Sequence, residues 1–184
     1  MANAIAMELD DATVAAVDAL ALAISAACGN GVATIASFGV PAHLTLTSYD
    51  ELPIERALPA LDAFAATIGT GELMISSVGV FPDLVSGSVA FLAPVMTPAL
   101  LALHQGCLKA LARLGAPCWD QYQPERWVPH VTLAMGLREA QLAKAVACCA
   151  EGWKPLSARL VGLKLVAFPP VATLKRWPLQ SVPG

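Results

Sequence analysis

Two stretches of this chain repeat one pattern: Pro41-Ala42-His43-Leu44-Thr45-Leu46 and, 87 residues later, Pro129-His130-Val131-Thr132-Leu133. Each reads His-x-Thr-Leu beside a proline. The chain holds three histidines, nine threonines and 26 leucines. Two of three histidines acquiring Thr at +2 and Leu at +3 by chance therefore has a probability on the order of 10⁻⁴. A spacing of two suits a β-strand, in which residues i and i+2 point to one face and i+1 to the other. His43 and Thr45 then share a face, as do His130 and Thr132, while Leu44, Leu46, Val131 and Leu133 turn away and anchor each strand in a core.

The surrounding pattern is mixed α and β. Residues 3–9 read as a strand, and Asp10 or Asp11 caps a helix through Thr13, Val17, Leu20 and Ile24 that stops at Gly29. Residues 32–38 and 43–48 are strand candidates broken by Gly39-Val40-Pro41. A helix over 53–68 ends at Gly69, and 72–81 with 88–92 reads as a strand pair. Thr97 is an N-cap with Pro98 at the first helical position, opening a Leu-rich helix to Gly115. A loop with Pro117, Pro124 and Pro129 leads to a strand at 130–135, then a helix over 138–151 and strands at 158–168 and 173–179. Similar order in both halves predicts duplication of one unit. The expected fold is α+β and bilobal: a pseudo-two-fold pair of units in one domain, 1–184, with antiparallel-rich sheets lining a central cleft and helices outside. The approximate lobes are 1–92 and 93–184, between which strands can exchange.

Composition narrows the class. The 184 residues are 57% hydrophobic and 14% charged, with a mean hydropathy of +0.63, which raises the membrane question. Residues 19–49 and 84–108 carry no Asp, Glu, Lys or Arg. The first stretch is broken by Cys28-Gly29-Asn30-Gly31 and Pro41, the second by Pro94, Pro98, His104 and Gln105, so neither offers about 20 unbroken apolar residues. The first eleven residues have no basic region and carry Glu8, Asp10 and Asp11, unlike a secretory signal; the expectation is a cytoplasmic protein with no membrane partner. Five cysteines without CxxC spacing indicate neither a disulfide framework nor a zinc site.

The net charge of −3 conceals an asymmetry: residues 1–92 hold ten acids and one base, residues 93–184 four acids and ten bases. Only the second half can supply positive potential to an anion. No basic run suits a long duplex, so a nucleic-acid partner would be short.

Two imidazoles and two hydroxyls lining one cleft suit a phosphodiester. One imidazole takes a proton from water and the other gives one to the departing oxygen, while the hydroxyls donate to the non-bridging oxygens. No metal or other cofactor is needed, and three histidines without clustered carboxylates or cysteines make no metal site. His104 lies in the Leu-rich helix without Thr at +2 and reads as packing. Tyr49, six residues after His43, shares its face if the strand persists; Tyr122 and Trp127 precede the second motif, and any of the three can stack on a base. Arg126 is placed to touch a terminal phosphate. No Gly-x-Ser-x-Gly elbow is present.

The two His-x-Thr-Leu strands, the context Trp127-Val128-Pro129-His130-Val131-Thr132-Leu133, the run Pro94-Val95-Met96-Thr97-Pro98 and the tail Thr173-Leu174-Lys175-Arg176-Trp177-Pro178-Leu179 resemble the 2H phosphoesterase superfamily. Within it they are most similar to the bacterial 2′-5′ RNA ligase or RNA 2′,3′-cyclic phosphodiesterase proteins. The resemblance implies metal-independent hydrolysis of RNA 2′,3′-cyclic phosphate ends or short 2′-5′-linked oligonucleotides. His43 and His130 would be the acid/base pair, His43 the donor and His130 the acceptor, with Thr45 and Thr132 on the phosphate. The expected ligand is a small nucleotide or short RNA end, bound by a monomer. A non-RNA cyclic nucleotide, an ADP-ribose cyclic phosphate and a non-catalytic nucleotide-binding module are the alternatives. Ligation ranks below hydrolysis, since no nucleotidyl-transfer lysine motif is identified.

Overall fold

The computed structural model describes residues 1–29, 32–83 and 85–180; Asn30, Gly31 and Leu84, which fall in the uncharged stretches, lie outside the described residues. In chain order the elements are β1 (Ala2–Leu9), α1 (Asp11–Cys28), β2 (Ala33–Thr34), β3 (His43–Tyr49), α2 (Ile54–Ala65), β4 (Gly71–Phe81), β5 (Ser88–Pro94), α3 (Pro98–Leu111), β6 (Val131–Leu137), α4 (Glu139–Gly152), β7 (Leu156–Phe168) and β8 (Ala172–Pro178). All strand pairs are antiparallel, in the order β2-β6-β5-β4-β7-β1-β3, with β8 also paired to β7.

Leaving aside β2 and β8, the order of elements is one unit twice: β1-α1-β3-α2-β4 and β5-α3-β6-α4-β7. The sheet joins these units by exchange. In one half, β7 of the second unit pairs with β1 of the first, which pairs with β3; in the other, β4 of the first pairs with β5 of the second, which pairs with β6. Helices cross over in the same way. α1 packs on α4 and β6, whereas α3 packs on α2 and β3. The predicted boundary at 92/93 therefore needs correction, because it cuts β5. The repeats meet between β4 and β5, and each half of the sheet is built from both units.

The helix-facing side of the sheet forms the core. Ile5 and Met7 on β1, Leu44 and Leu46 on β3, and Leu163 and Leu165 on β7 are at most 1% exposed; burial of such side chains is worth about 1.5–3 kcal/mol each. α1 is the described helix long and apolar enough to cross a membrane by length and composition. Its buried residues Thr13, Val17, Leu20, Ala21 and Ile24 recur at helical spacing, the stripe of a helix laid on a sheet. The strand expected over 32–38 is reduced to Ala33–Thr34. Ser37 Oγ donates to the Thr34 carbonyl at 2.7 Å and accepts from the Thr34 amide at 3.1 Å, turning the chain into a 3-10 helix over Ala36–Phe38. His130 stands one residue before β6 rather than within it.

Asp10 ties three elements together. Its carboxylate caps α1 by accepting from the Thr13 amide (3.1 Å) and hydroxyl (2.8 Å), and it accepts from the Arg159 amide of β7 at 2.7 Å. Burial, which opposes ionisation, is outweighed by these donors, so its pKa lies below the ordinary 3.8. Asp10→Ala should cost about 1–2 kcal/mol, read as a lower urea midpoint at unchanged m-value. A lowered folded-state pKa stabilises fully above the unfolded pKa and is lost as pH falls through the folded one. The deficit of the variant relative to wild type should therefore shrink in acid.

Candidate active site

Strand pairing decides which way each side chain points. On β1, Glu8 faces His43 of β3 and Ala6 faces Thr45, which puts His43 and Thr45 on the face away from the helices. On β6, Thr132 pairs with Phe91 while Val131 pairs with the buried Leu92, which sets His130 and Thr132 on the corresponding face of the other half. The sheet curves until β3, at one end, and β6, next to the other, approach within 8 Å between Cα atoms. The indole of Trp127, in the loop entering the second motif, donates to the Thr45 carbonyl at 3.2 Å and fastens the two motifs to each other.

Both imidazoles are held in the same manner. His43 Nδ1 donates to the carbonyl of Pro41 at 2.9 Å, and His130 Nδ1 donates to that of Val128 at 2.8 Å. A carbonyl only accepts, so the hydrogen is on Nδ1 and each neutral ring keeps the Nε2 lone pair for the cleft. Burial depresses both. His43 falls to about 4 through burial, the charge of Lys164 and that of His130, with the Pro41 carbonyl opposing. His130 is lowered by burial, with the Val128 carbonyl opposing.

Five further residues share this face, none of them singled out from the sequence. On the His43 side, Lys164 of β7 stands opposite Ala6, and Arg176 of β8 opposite Lys164. The Glu8 carboxylate lies over Gly162, where a Cβ would come within 2.5 Å of it, and pairs with Arg176 at 3.1 Å. On the His130 side, Phe81 and Phe91 stack with centroids 4.2 Å apart, and both meet the His130 ring edge-on, at 5.0 and 5.6 Å. Gly79 makes room for the Phe91 ring, since a Cβ there would lie 2.3 Å from it. The available signal was a single charge interrupting an apolar strand: Glu8 in Ala6-Met7-Glu8-Leu9 and Lys164 in Leu163-Lys164-Leu165-Val166.

The remaining candidates part company. Tyr49 is 2% exposed on the helix side: a bulge between Ile5 and Ala6 shifts the β1–β3 register, so Tyr49 pairs with Asn3 and leaves the face of His43. Tyr122 is 8% exposed and its phenol lies beside Ser48 and Thr45, at the base of the cleft. Trp127 is a packing residue, stacked on His104 at 4.0 Å and 3°. His104 is fully buried and bonds the Tyr122 carbonyl at 3.0 Å, which bears out its reading as structural. Arg126 is exposed and engaged with Asp120. No cluster of three or more metal-ligating side chains occurs among the described residues. A groove of about 1020 Å³ between α2 and α3, lined by Phe64, Leu100 and Leu103, touches none of these groups.

Solved structures share the fold. The E. coli LigT complex with 3′-AMP is 24% identical, with 96% of this chain and 97% of that one covered and a TM-score of 0.62. TT0787 of Thermus thermophilus is 22% identical over 98% and 99%, at 0.67, and Usb1 of Kluyveromyces marxianus 14% over 97% and 98%, at 0.51. E. coli LigT has also been crystallised with NADP+, ATP and phosphate. No curated protein matches the sequence at a significant level. The family model of the 2′-5′ RNA ligase superfamily matches residues 10–168, nearly the whole chain, and the protein belongs to that superfamily.

Proposed function

We propose that the protein is a metal-independent phosphodiesterase acting on RNA 2′,3′-cyclic phosphate ends or short 2′-5′-linked oligonucleotides. The observation that carries this is the duplicated imidazole: two histidines, each with Nδ1 tied to the carbonyl two residues back and Nε2 free, each with a threonine hydroxyl on the same face. A phosphodiester between them has a group for each proton transfer. Water loses a proton to one Nε2 as its oxygen bonds to phosphorus; the P–O bond to the ribose oxygen breaks, and that oxygen takes a proton from the other Nε2. Thr45 and Thr132 donate to the non-bridging oxygens as charge builds there. The Phe81–Phe91 pair offers an apolar surface for a base, and the nucleotide-bound forms of E. coli LigT support a small nucleotide as ligand.

The order of roles follows from charge. Burial lowers the proton affinity of both rings, and His43 also faces the charge of Lys164, which has no counterpart beside His130. That added cation suits His43 to accepting and His130 to donating, the reverse of the order implied by the family resemblance. All these groups come from one chain, so a monomer suffices, and the reading carries a cytoplasmic setting with it.

His43→Ala and His130→Ala should each lower turnover of a nucleoside 2′,3′-cyclic phosphate or a 2′-5′ dinucleotide by about 10²–10⁴-fold, with EDTA leaving the wild-type rate unchanged. Turnover that survives both substitutions overturns the assignment.

The pH profile gives a second check. Below about 4 His43 is protonated and cannot accept, and above the lowered pKa of His130, itself under 6.5, the donor proton is gone. A plot of kcat/KM against pH should be bell-shaped with its maximum between those limits, and a maximum above pH 7 would contradict the assigned environments.

A further inference from the structure

The two halves of the cleft are related by the repeat, yet they differ at the strand flanking each Thr row. In one half the row runs Thr132, Phe91, Gly79; in the other it runs Thr45, Ala6, Lys164. Lys164 thus occupies the place that glycine takes opposite. It is only 2% exposed, within the otherwise apolar run Leu163-Lys164-Leu165-Val166-Ala167 of β7. Among the described residues it has no hydrogen bond and no ion pair within 4 Å. Its nitrogen is nonetheless not sealed in, unlike the enclosed and unpartnered Asp18 Oδ1, Thr47 Oγ1, His104 Nδ1 and Trp153 Nε1. The side chain is therefore almost covered, with a small part of the ammonium accessible.

What it opens onto follows from the register. Thr45 and Lys164 are two strands apart, about 10 Å between Cα atoms at the usual strand spacing. The intervening Ala6 is too small to fill the gap. A four-carbon stem spans about 6 Å of that distance, and the charge of Lys164 is felt at His43. The charged and titratable groups around it are Glu8 on β1, His43 on β3, Arg176 on β8 and, from the other half, His130. Glu8 is committed to Arg176 at 3.1 Å. A cation enclosed this far without a bonded partner is costly unless an anion completes it.

We propose that Lys164 is a phosphate-binding residue, its ammonium placed against the non-bridging oxygens of the scissile phosphodiester on the His43 side. It supplies formal positive charge to a site whose other phosphate donors are neutral hydroxyls. This rests on the reading of the cleft as a phosphodiester site and goes beyond the paired motifs. It also couples binding to protonation. Phosphate neutralises Lys164, and with that cation offset His43 more readily holds the proton it takes from water.

The test uses inorganic phosphate as the probe, titrated into wild type, Lys164→Met and Lys164→Arg and followed by NMR of the two imidazoles. Lys164→Met should weaken phosphate about 10- to 100-fold, and Lys164→Arg should restore most of the loss. Without phosphate, the Met variant should show His43 titrating at a higher pH than in wild type, narrowing the acid side of the kcat/KM profile. Its Tm should equal or exceed that of wild type, since an enclosed unpaired charge has been removed. If the Met variant does not fold, Lys164→Gln carries the same comparison. A folded Met or Gln variant that binds phosphate as wild type does, with His43 unmoved, overturns the role of Lys164 and leaves the hydrolytic reading intact. Lys164-dependent phosphate binding in a wild type that turns over no diester overturns the hydrolytic reading and supports the anion subsite.

Discussion

The pairing of β1 with β3, Glu8 opposite His43 and Ala6 opposite Thr45, is the constraint on which the cleft depends. Antiparallel partners share a face, so this register commits His43 and Thr45 to the cleft and Leu44 and Leu46 to the core. A slip of one residue would exchange the two sets, exposing two leucines and burying an imidazole. The apolar side holds the register, and the cleft side inherits its geometry from it. On its other edge β1 pairs with β7 and so brings Lys164 and Gly162 into line with Thr45 and His43.

Reciprocal exchange explains why two copies of a motif 87 residues apart serve one cleft. Each unit lends its last strand to the other, so neither half of the sheet is complete without a strand of the other unit. Such crossing ties the two imidazoles to one continuous hydrogen-bonded sheet rather than to lobes joined by a linker. Trp127 adds a direct tie by donating across the cleft to the Thr45 carbonyl, its ring fixed by the stack on His104.

The halves carry different chemistry on one framework. Beside His130 the wall is aromatic, with Phe91 laid over Gly79. Beside His43 it is charged, with Glu8, Lys164 and Arg176. The charge imbalance between the first and second halves of the sequence is thereby brought together at one place: two bases from the second half stand next to an acid and a histidine from the first. The two histidines have identical backbone tethers but unlike surroundings, with the charge of Lys164 acting on His43 alone, although the sequence presents the two as equivalent.

Most elements were legible in local pattern. Thr97 caps the helix it is expected to cap, and of the two candidates Asp10 and Asp11 it is Asp10 that caps α1; the strand alternation around both histidines matches the observed faces, because period-two hydrophobicity is a local property. Tyr49 shows where that ends: its face was predicted by counting, and a single bulge reversed the count. Strand 32–38 was lost to hydrogen bonds between Thr34 and Ser37, which compete with a ladder and leave little mark on hydropathy. By itself the sequence determined the duplicated unit, the two imidazole–hydroxyl strands and the family they signal, since each is written in contiguous residues. Only the tertiary structure decided that the units exchange strands, that Lys164 and Glu8 flank one histidine and two phenylalanines the other, and hence how the two halves of the site differ. Those facts depend on which strand lies beside which, and strand order is set by non-local hydrogen bonding and burial that no short window of sequence contains.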